Sequence, residues 1–233
     1  MKSVLLRLEG PLQSWGTQGR FSIRDTDSDP SKSGVLGMVG AALGMARDDA
    51  AELAVLATLR MAVRVDREGA PLRDYHTAGG GRFKGKNHEV YGASGTVLTD
   101  RHYLADASFL VALGSKDGDL VTRIARALQN PAWPIYLGRK SCVPSAPVFE
   151  GQYDGLPEDA VRRHKGSPLG LGGSAGVQEA EKLRLVLEAD ADLPGARPRN
   201  DVPVSFQLYG REHVRRFVVT DWVAAEQIRG KEG

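Results

Sequence analysis

Residues 72–113 read LRDYHTAGGGRFKGKNHEVYGASGTVLTDRHYLADASFLVAL, and this stretch decides the fold. It begins as a strand at Leu72, passes through a glycine-rich segment between Gly79 and Gly95, and returns as a strand that ends in the apolar run 109–113. Glycine adopts the backbone conformations that chain reversals need. The stretch therefore predicts a long β-hairpin.

The segments on either side of the hairpin predict an α+β fold. A strand at 2–8, a helix that starts among Pro30, Ser31, Lys32 and Ser33, a strand at 61–65, the hairpin and a helix ended by Asn130 and Pro131 follow one another. If residues 135–137 form a fourth short strand, the order is βαββαβ. This is the ferredoxin-like topology that RNA-recognition modules share, although fold alone assigns no function.

The last third of the chain has a different pattern. Beyond Cys142 prolines and glycines interrupt it, and strand-like segments follow at 182–187, 202–208 and 213–220. These segments predict a smaller, separate antiparallel sheet, with an exposed loop at 193–200. We expect two parts, a ferredoxin-like unit over 1–145 and an irregular β subdomain over 146–233.

Composition excludes several classes of protein. With 233 residues, 41% of them hydrophobic and 26% charged, the chain can bury a substantial core. The single cysteine, Cys142, permits neither an internal disulfide nor a thiolate zinc cage. Arg7 and Glu9 interrupt the apolar N-terminus, and the longest uncharged run, 33–46, is too short to span a bilayer. We expect a cytoplasmic protein with no membrane role.

Basic charge is local rather than general. The 31 basic residues are nearly matched by 29 acidic ones, for a net charge of +2, so the chain is not an unspecific polyanion binder. Arg82, Lys84 and Lys86 nevertheless occur together without an acidic neighbour, as do Arg139 and Lys140. These clusters are candidate contacts to phosphate groups.

Two segments resemble nucleotide-binding motifs but lack residues or spacing that those motifs require. The segment 80–86 matches G-x-x-x-x-G-K, but Asn87 replaces the Ser or Thr that would hold magnesium, and residues 88–99 have no helical period. The glycine run at 170–176 lacks the G-x-G-x-x-G spacing. We therefore expect neither nucleotide hydrolysis nor a dinucleotide cofactor.

Three of the five histidines fall in the stretch 76–102. No pair has the spacing of a metal site, so we expect no metal. With nearby tyrosines and lysines, the stretch has the residue types of a metal-independent ribonuclease: a base, an acid and a cation. A hairpin that only binds RNA uses the same types, and a solvated polar hairpin is the third alternative. The local sequence leaves these three open.

Five motifs in order over residues 1–145 resemble a known family. They are GPLQSWG at 10–16, PSKSGVLG at 30–37, LRDYHT at 72–77, YLADASF at 103–109 and YLGRKSC at 136–142. They resemble the CasD family of subunits of the Cascade (type I-E) CRISPR surveillance complex, in the repeat-associated (RAMP) RNA-binding superfamily. The resemblance implies antiviral defence and a ferredoxin-like palm with a hairpin thumb at about 75–103.

The resemblance also implies a function and a set of contacts. The subunit would hold the 5′ handle of the CRISPR RNA without cutting it, beside the backbone subunit and the large subunit, and would meet target DNA only through the complex. The residues that would contact RNA are Trp15, Lys32, Ser33, His76, Lys86, His88, Arg101, Tyr103, Arg139, Lys140 and Ser141. No catalytic residue and no cofactor are implied.

Two alternatives to that function remain. Relatives in other CRISPR subtypes cleave the precursor RNA, so a metal-independent endoribonuclease is the runner-up. A protein that only caps the assembly and touches no RNA is the third reading.

Overall fold

Eleven strands and five helices make up the described part of the chain. The structure is a computed structural model, and it describes residues 1–16, 22–79, 96–165, 181–207 and 211–229. The strands are β1 Lys2–Glu9, β2 Leu12–Gln13, β3 Ile23–Arg24, β4 Arg60–Arg67, β5 Ala70–Gly79, β6 Thr96–Ala105, β7 Ser108–Ser115, β8 Phe149–Asp154, β9 Lys182–Ala189, β10 Arg197–Ser205 and β11 Glu212–Ala224. The helices are α1 Lys32–Leu43, α2 Ala50–Ala57, α3 Gly118–Gln129, α4 Pro157–Arg163 and α5 Ala225–Arg229. The mixed α+β class is as predicted.

Seven strands form one large sheet in the order β10, β11, β9, β4, β7, β1, β8, and each neighbouring pair is antiparallel. Its central strands bury side chains on both faces. In β1, Leu6 and Leu8 enter one hydrophobic core and Leu5 enters the other. Helices α1 and α3 pack over the first face, and α4 and α5 over the second. Burying a large apolar side chain on either face contributes about 1.5–3 kcal/mol, which is why both faces need helices.

Helix α1 begins where the sequence predicts. The Ser31 hydroxyl accepts a hydrogen bond from the Gly34 amide at 3.3 Å, which makes Ser31 the N-cap. The helix ends at Gly44, whose φ of 73° is in the left-handed region that favours glycine. The short helix α2 is likewise capped by Asp49.

The four remaining strands form a small second sheet around the predicted hairpin. Strands β5 and β6 pair antiparallel without a register shift, from Ala70 opposite Ala105 to Gly79 opposite Thr96. Strands β2 and β3 pair with the other side of β6, β2 antiparallel and β3 parallel. The hairpin prediction is confirmed for these two strands, and the tip at 80–95 lies outside the described residues.

The fourth strand of the first unit was predicted in the wrong place. Residues 135–137 are not a strand: the Leu137 carbonyl accepts from the Ser14 amide and the Leu137 amide donates to the Cys142 carbonyl. The strand beside β1 is β8, at Phe149–Asp154. A short apolar run between Pro134 and Gly138 resembles a strand, whereas β8 is a partly exposed edge strand whose glycine hides the pattern.

The predicted separate C-terminal sheet is also wrong. Strand β9 pairs with β4, so β9, β11 and β10 extend the large sheet. Residues 197–200, expected in a loop, belong to β10. Pro198 and Pro203 made the segment look like a loop, because proline disfavours a strand inside a sheet. Proline is tolerated on an edge strand, and β10 is an edge of the large sheet.

None of the helices in the described ranges has the length and hydrophobicity that crossing a membrane requires.

Candidate nucleic-acid interface

Strand β6 brings together two arginines that are far apart in the sequence. Arg101 lies opposite Arg24 of β3 in parallel register and opposite Asp74 of β5 in antiparallel register. Residues directly opposite one another in a sheet place their side chains on the same face. Arg24 and Arg101 are therefore neighbours on one face of the small sheet. The Arg101 Nε donates to the Thr99 hydroxyl at 3.2 Å, and Asp74 forms no ion pair with Arg101.

A tight turn brings Arg139 to the same place. Gly138 has a φ of 95°, and a Cβ there would lie 1.8 Å from the Ser14 carbonyl oxygen, so only glycine fits. The next residue, Arg139, donates from Nη1 to the His102 carbonyl at 3.1 Å and from Nη2 to the Arg24 carbonyl at 2.7 Å. The guanidinium thus joins β3 to β6.

The patch formed by Arg24, Arg101, Arg139 and Lys140 is cationic. Among the described residues, none of these four side chains has a carboxylate within ion-pair distance. Arg24 and Lys140 are exposed, and Arg101 and Arg139 are half-buried. Arginines elsewhere, such as Arg7 and Arg199, are committed to internal carboxylates. Cations that are exposed and unneutralised are what phosphate binding requires.

Tyr103 does not present its ring to solvent as a stacking platform. It is 4% exposed, and the guanidinium of Arg139 lies over it, 4.7 Å from the ring centre. This cation–π contact orients the guanidinium plane. The guanidinium therefore covers the tyrosine ring, which is not available for stacking on a base.

Two other predicted contacts lie in the interior. Trp15 is 1% exposed, and its indole Nε1 donates to Gln13 Oε1 at 3.1 Å. Lys32 is 3% exposed, and its Nζ lies 2.8 Å from Glu188 Oε1. These buried side chains stabilise the fold, which contradicts their prediction as RNA contacts.

The helix N-terminus beside Lys32 already holds an anion. The backbone amide of Lys32 donates to Asp201 Oδ2 at 2.9 Å, and Arg216 holds the same carboxylate. Burial lowers the pKa of Lys32. The charge of Glu188 raises it, but the net shift is downward. Burial raises the pKa of Asp201, but the hydrogen bond and charge of Arg216 outweigh it and the net shift is downward. The backbone amide at this helix terminus, which could otherwise bind an anion such as a phosphate, is thus taken by the protein's own carboxylate.

The remaining predicted residues differ in their positions. Ser141 is exposed next to Lys140 at the cationic patch, and Ser33 is half-buried in the first turn of α1. His76 is on the same face of the hairpin as Arg101, and its Nδ1 lies 3.8 Å from Asp74 Oδ2. Lys86 and His88 lie outside the described residues. Within the described ranges, no group of three His, Cys, Asp or Glu side chains is arranged to hold a metal ion.

Comparison with known proteins identifies the family. A family model described as CRISPR-associated protein (Cas_Cas5) matches residues 3–219. The chain belongs to this Cas5 family.

Relatives of this Cas5 chain are found among curated proteins and among solved structures. The CRISPR system Cascade subunit CasD of Escherichia coli (strain K12) is 39% identical over 162 residues, 64% of this chain and 70% of that protein. A chain of a CRISPR RNA-guided surveillance complex superposes with a TM-score of 0.77 at 34% identity, covering 95% of this chain and 90% of that one. A second structure, named as a Cas protein, gives 0.70 at 34% identity over 99% and 100%. The resemblance predicted from the five motifs is confirmed.

Sequence reading of this Cas5 chain missed Arg24. The residue belongs to a two-residue strand inside a segment without any period, so no pattern marks it. Its position next to Arg101 depends on the parallel pairing of β3 with β6, which joins residues far apart in the chain. The only sequence feature that pointed to it was its presence among other arginine and aromatic residues in residues 10–29.

Proposed function

We propose that this chain is a non-catalytic subunit of a Cascade-type CRISPR surveillance complex and binds the 5′ handle of the guide RNA. The observation that carries the proposal is the cationic patch of Arg24, Arg101, Arg139 and Lys140, which has no carboxylate partner among the described residues. Membership of the Cas5 family and similarity to a Cascade subunit support it.

The proposed RNA contacts follow from the chemistry of the patch. Arg101 and Lys140 would hold phosphates, and Ser141 would donate or accept a hydrogen bond beside them. The guanidinium of Arg139, fixed over Tyr103, would stack on a base. His76 and Ser33, together with Lys86 and His88 of the hairpin, complete the proposed set.

We also propose that β1, β4, β7 and β8 with helices α1 and α3 form a ferredoxin-like palm and that β5 and β6 are its thumb. The strand order β4, β7, β1, β8 with α1 and α3 on one face supports this assignment. The backbone and large subunits would be its neighbours, and target DNA would be read by the guide rather than by this chain. The division of the chain near residue 145 stays a prediction.

The geometry of the hairpin argues against a ribonuclease that uses His76 and His102 as its base and acid. His76 is opposite Thr99 and His102 is opposite Arg73. Thr99 and His102 are three positions apart on β6, so they point to opposite faces of the sheet. A general base and a general acid must flank the same phosphate, and these two histidines cannot.

Salt-dependent binding tests the proposal. Handle RNA is titrated into the purified chain at several salt concentrations, with Arg101→Ala and Arg139→Ala beside the wild type. Each variant should bind more weakly. The plot of log K against log[salt] should become less steep by about 0.7, the value for one phosphate contact on a single strand.

The matched control is Lys116→Ala. Lys116 is also an exposed cation, but it follows β7 at the end far from the hairpin. It should leave affinity and slope unchanged. Equal effects from all three variants would mean that binding depends only on overall charge, and wild-type behaviour of Arg101→Ala and Arg139→Ala would refute the proposed site.

A further inference from the structure

The outer edge of β5 is an open strand edge. Strand β6 has β5 on one side and β2 and β3 on the other, whereas β5 pairs with β6 alone among the strands of the described residues. Strand β5 runs over ten residues, Ala70–Gly79, and its side chains are exposed or half-buried wherever they are described. A long exposed edge of this kind is a template for pairing with another strand.

The hydrogen bonds of β6 identify which backbone groups of β5 face outward. The Asp100 amide donates to the Ser22 carbonyl at 2.8 Å, and the His102 carbonyl accepts from Arg139 at 3.1 Å. The backbone groups of Asp100 and His102 therefore point away from β5. In an antiparallel pair, the residues opposite them point away as well.

The outward set on β5 follows from the register. Tyr75 is opposite Asp100, Arg73 is opposite His102, Thr77 is opposite Leu98 and Pro71 is opposite Leu104. Pro71 agrees with this assignment, because proline has no N–H and fits a sheet edge where its nitrogen faces outward. At these four positions three amides and four carbonyls thus face outward, at every second residue and about 6.8 Å apart.

None of these outward backbone groups is hydrogen-bonded within the part of the chain that the structure describes. Their alternating donors and acceptors match the edge of a second strand. RNA phosphates, by contrast, offer acceptors only, and they would meet a row of carbonyl oxygens here.

The side chains beside the edge also favour protein over RNA. Arg73 is neutralised by Asp100, with Nη2 to Oδ1 at 2.8 Å. Tyr75 on the same face is 60% exposed, and its diagonal neighbour on β6, Leu98, is 46% exposed. A face on which Arg73 and Asp100 neutralise each other, with Tyr75 exposed at the edge and Leu98 behind it, suits the side chains of a protein strand.

We infer that the outer edge of β5 takes up an extended strand from a neighbouring protein subunit of the assembly. The strand adds to the small sheet through the amides of Arg73, Tyr75 and Thr77, and its apolar side chains pack against Tyr75. The RNA stays on the opposite face with Arg101. The existence of a neighbouring subunit rests on the proposed function, while the geometry of the edge does not.

Residue-resolved amide hydrogen exchange tests the inference on the wild-type chain. In the free chain, the amides of Asp74 and His76 should exchange slowly because they bond to β6, and those of Arg73, Tyr75 and Thr77 should exchange fast. In the reconstituted complex with guide RNA, the three fast amides should slow by more than about tenfold.

Three outcomes would overturn the inference. Unchanged exchange of these amides in the complex would mean that no strand is added. Slowing with handle RNA alone would make the nucleic acid the occupant. Slowing that depends on the concentration of the free chain would make a second copy the occupant. The salt-dependence of RNA binding is a separate measurement, so failure of the proposed function is distinguishable from failure of this edge.

A pair of variants isolates the backbone donor. Thr77→Pro removes one outward N–H, and Thr77→Ala removes the same side chain but keeps the N–H. Thr77→Pro should enter the complex at least about fivefold more weakly than Thr77→Ala, the effect of one lost hydrogen bond. Both should bind handle RNA equally in isolation, which also shows that they fold. Equal incorporation of the two variants would contradict strand addition.

Discussion

Replacing Gly138 with alanine gives the sharpest test of how the cationic turn is held. Gly138 has a φ of 95°, and the new Cβ would lie 1.8 Å from the Ser14 carbonyl oxygen. Relief of that overlap to ordinary contact requires a shift of more than about 1 Å. The shift would break the 3.1 Å bond from the Ser14 amide to the Leu137 carbonyl and move Arg139 off its carbonyl acceptors.

A second glycine supplies the matched control. Gly195 has a φ of 83°, but a Cβ there meets nothing within 4 Å. Gly195→Ala therefore carries only the left-handed strain of about 1–2 kcal/mol. Gly138→Ala adds the overlap and about two lost hydrogen bonds, for a total loss of about 3–4 kcal/mol. The difference between the stability losses of the two variants measures how much the close approach of the turn to the end of β2 contributes.

Two assays read the effect. Urea unfolding should show the larger stability loss for Gly138→Ala. Titration with handle RNA should show wild-type affinity for Gly195→Ala, and for Gly138→Ala about tenfold weaker binding with a salt slope lower by about 0.7–1.4, because Arg139 and Lys140 move together. Equal stability and equal RNA affinity for the two variants would refute the reasoning.

Three further predictions concern single side chains. Arg24→Ala should lower the salt slope of RNA binding by about 0.7 although no sequence motif marks the residue, and an unchanged slope would remove Arg24 from the patch. Lys32→Ala should remove the 2.8 Å ion pair with Glu188, which keeps the Met61 amide at 2.7 Å and Arg216 Nη1 at 3.8 Å, and so cost about 1–3 kcal/mol in urea unfolding with an unchanged RNA salt slope; a weaker salt dependence would return Lys32 to the RNA contacts. The hydrogen bond with His164, helped by the charge of Arg7 against burial, lowers the pKa of Glu150 to about 2. Because this pKa is lower in the folded state, the contribution to stability is present above about pH 4.5 and is lost as the pH falls toward 2, so the stability gap between wild type and His164→Ala should narrow over that range in urea titrations. A constant gap would exclude this linkage.

Local pattern predicted the parts of the fold that depend on neighbouring residues. The start of α1 follows from Ser31, whose hydroxyl caps an amide three residues away, and the hairpin follows from two strand patterns around a glycine-rich reversal. The confirmed family resemblance rests on motifs in the same regions. Such features are encoded within a few residues, so they can be read directly from the chain.

The parts of the fold and of the candidate site that the sequence did not predict depend on contacts between residues far apart in the chain. Lys32 meets Glu188 across 156 positions, and no local pattern says that its ammonium is buried. The joining of β9 to β4, which makes one sheet of two expected ones, is likewise a choice of partner that strand periodicity does not specify. Tyr103 is among the residues that the family resemblance predicts to contact RNA, yet the turn at Gly138 brings Arg139 over its ring.

A crosslinking map of the assembled complex tests the central claim most directly. Handle RNA carrying 4-thiouridine is incorporated, irradiated, and the crosslinked peptides are identified by mass spectrometry. The account predicts crosslinks from the same handle to three segments: 22–29, 99–103 and 138–142. Crosslinks confined to β10 and β11, or none to this chain, would contradict it.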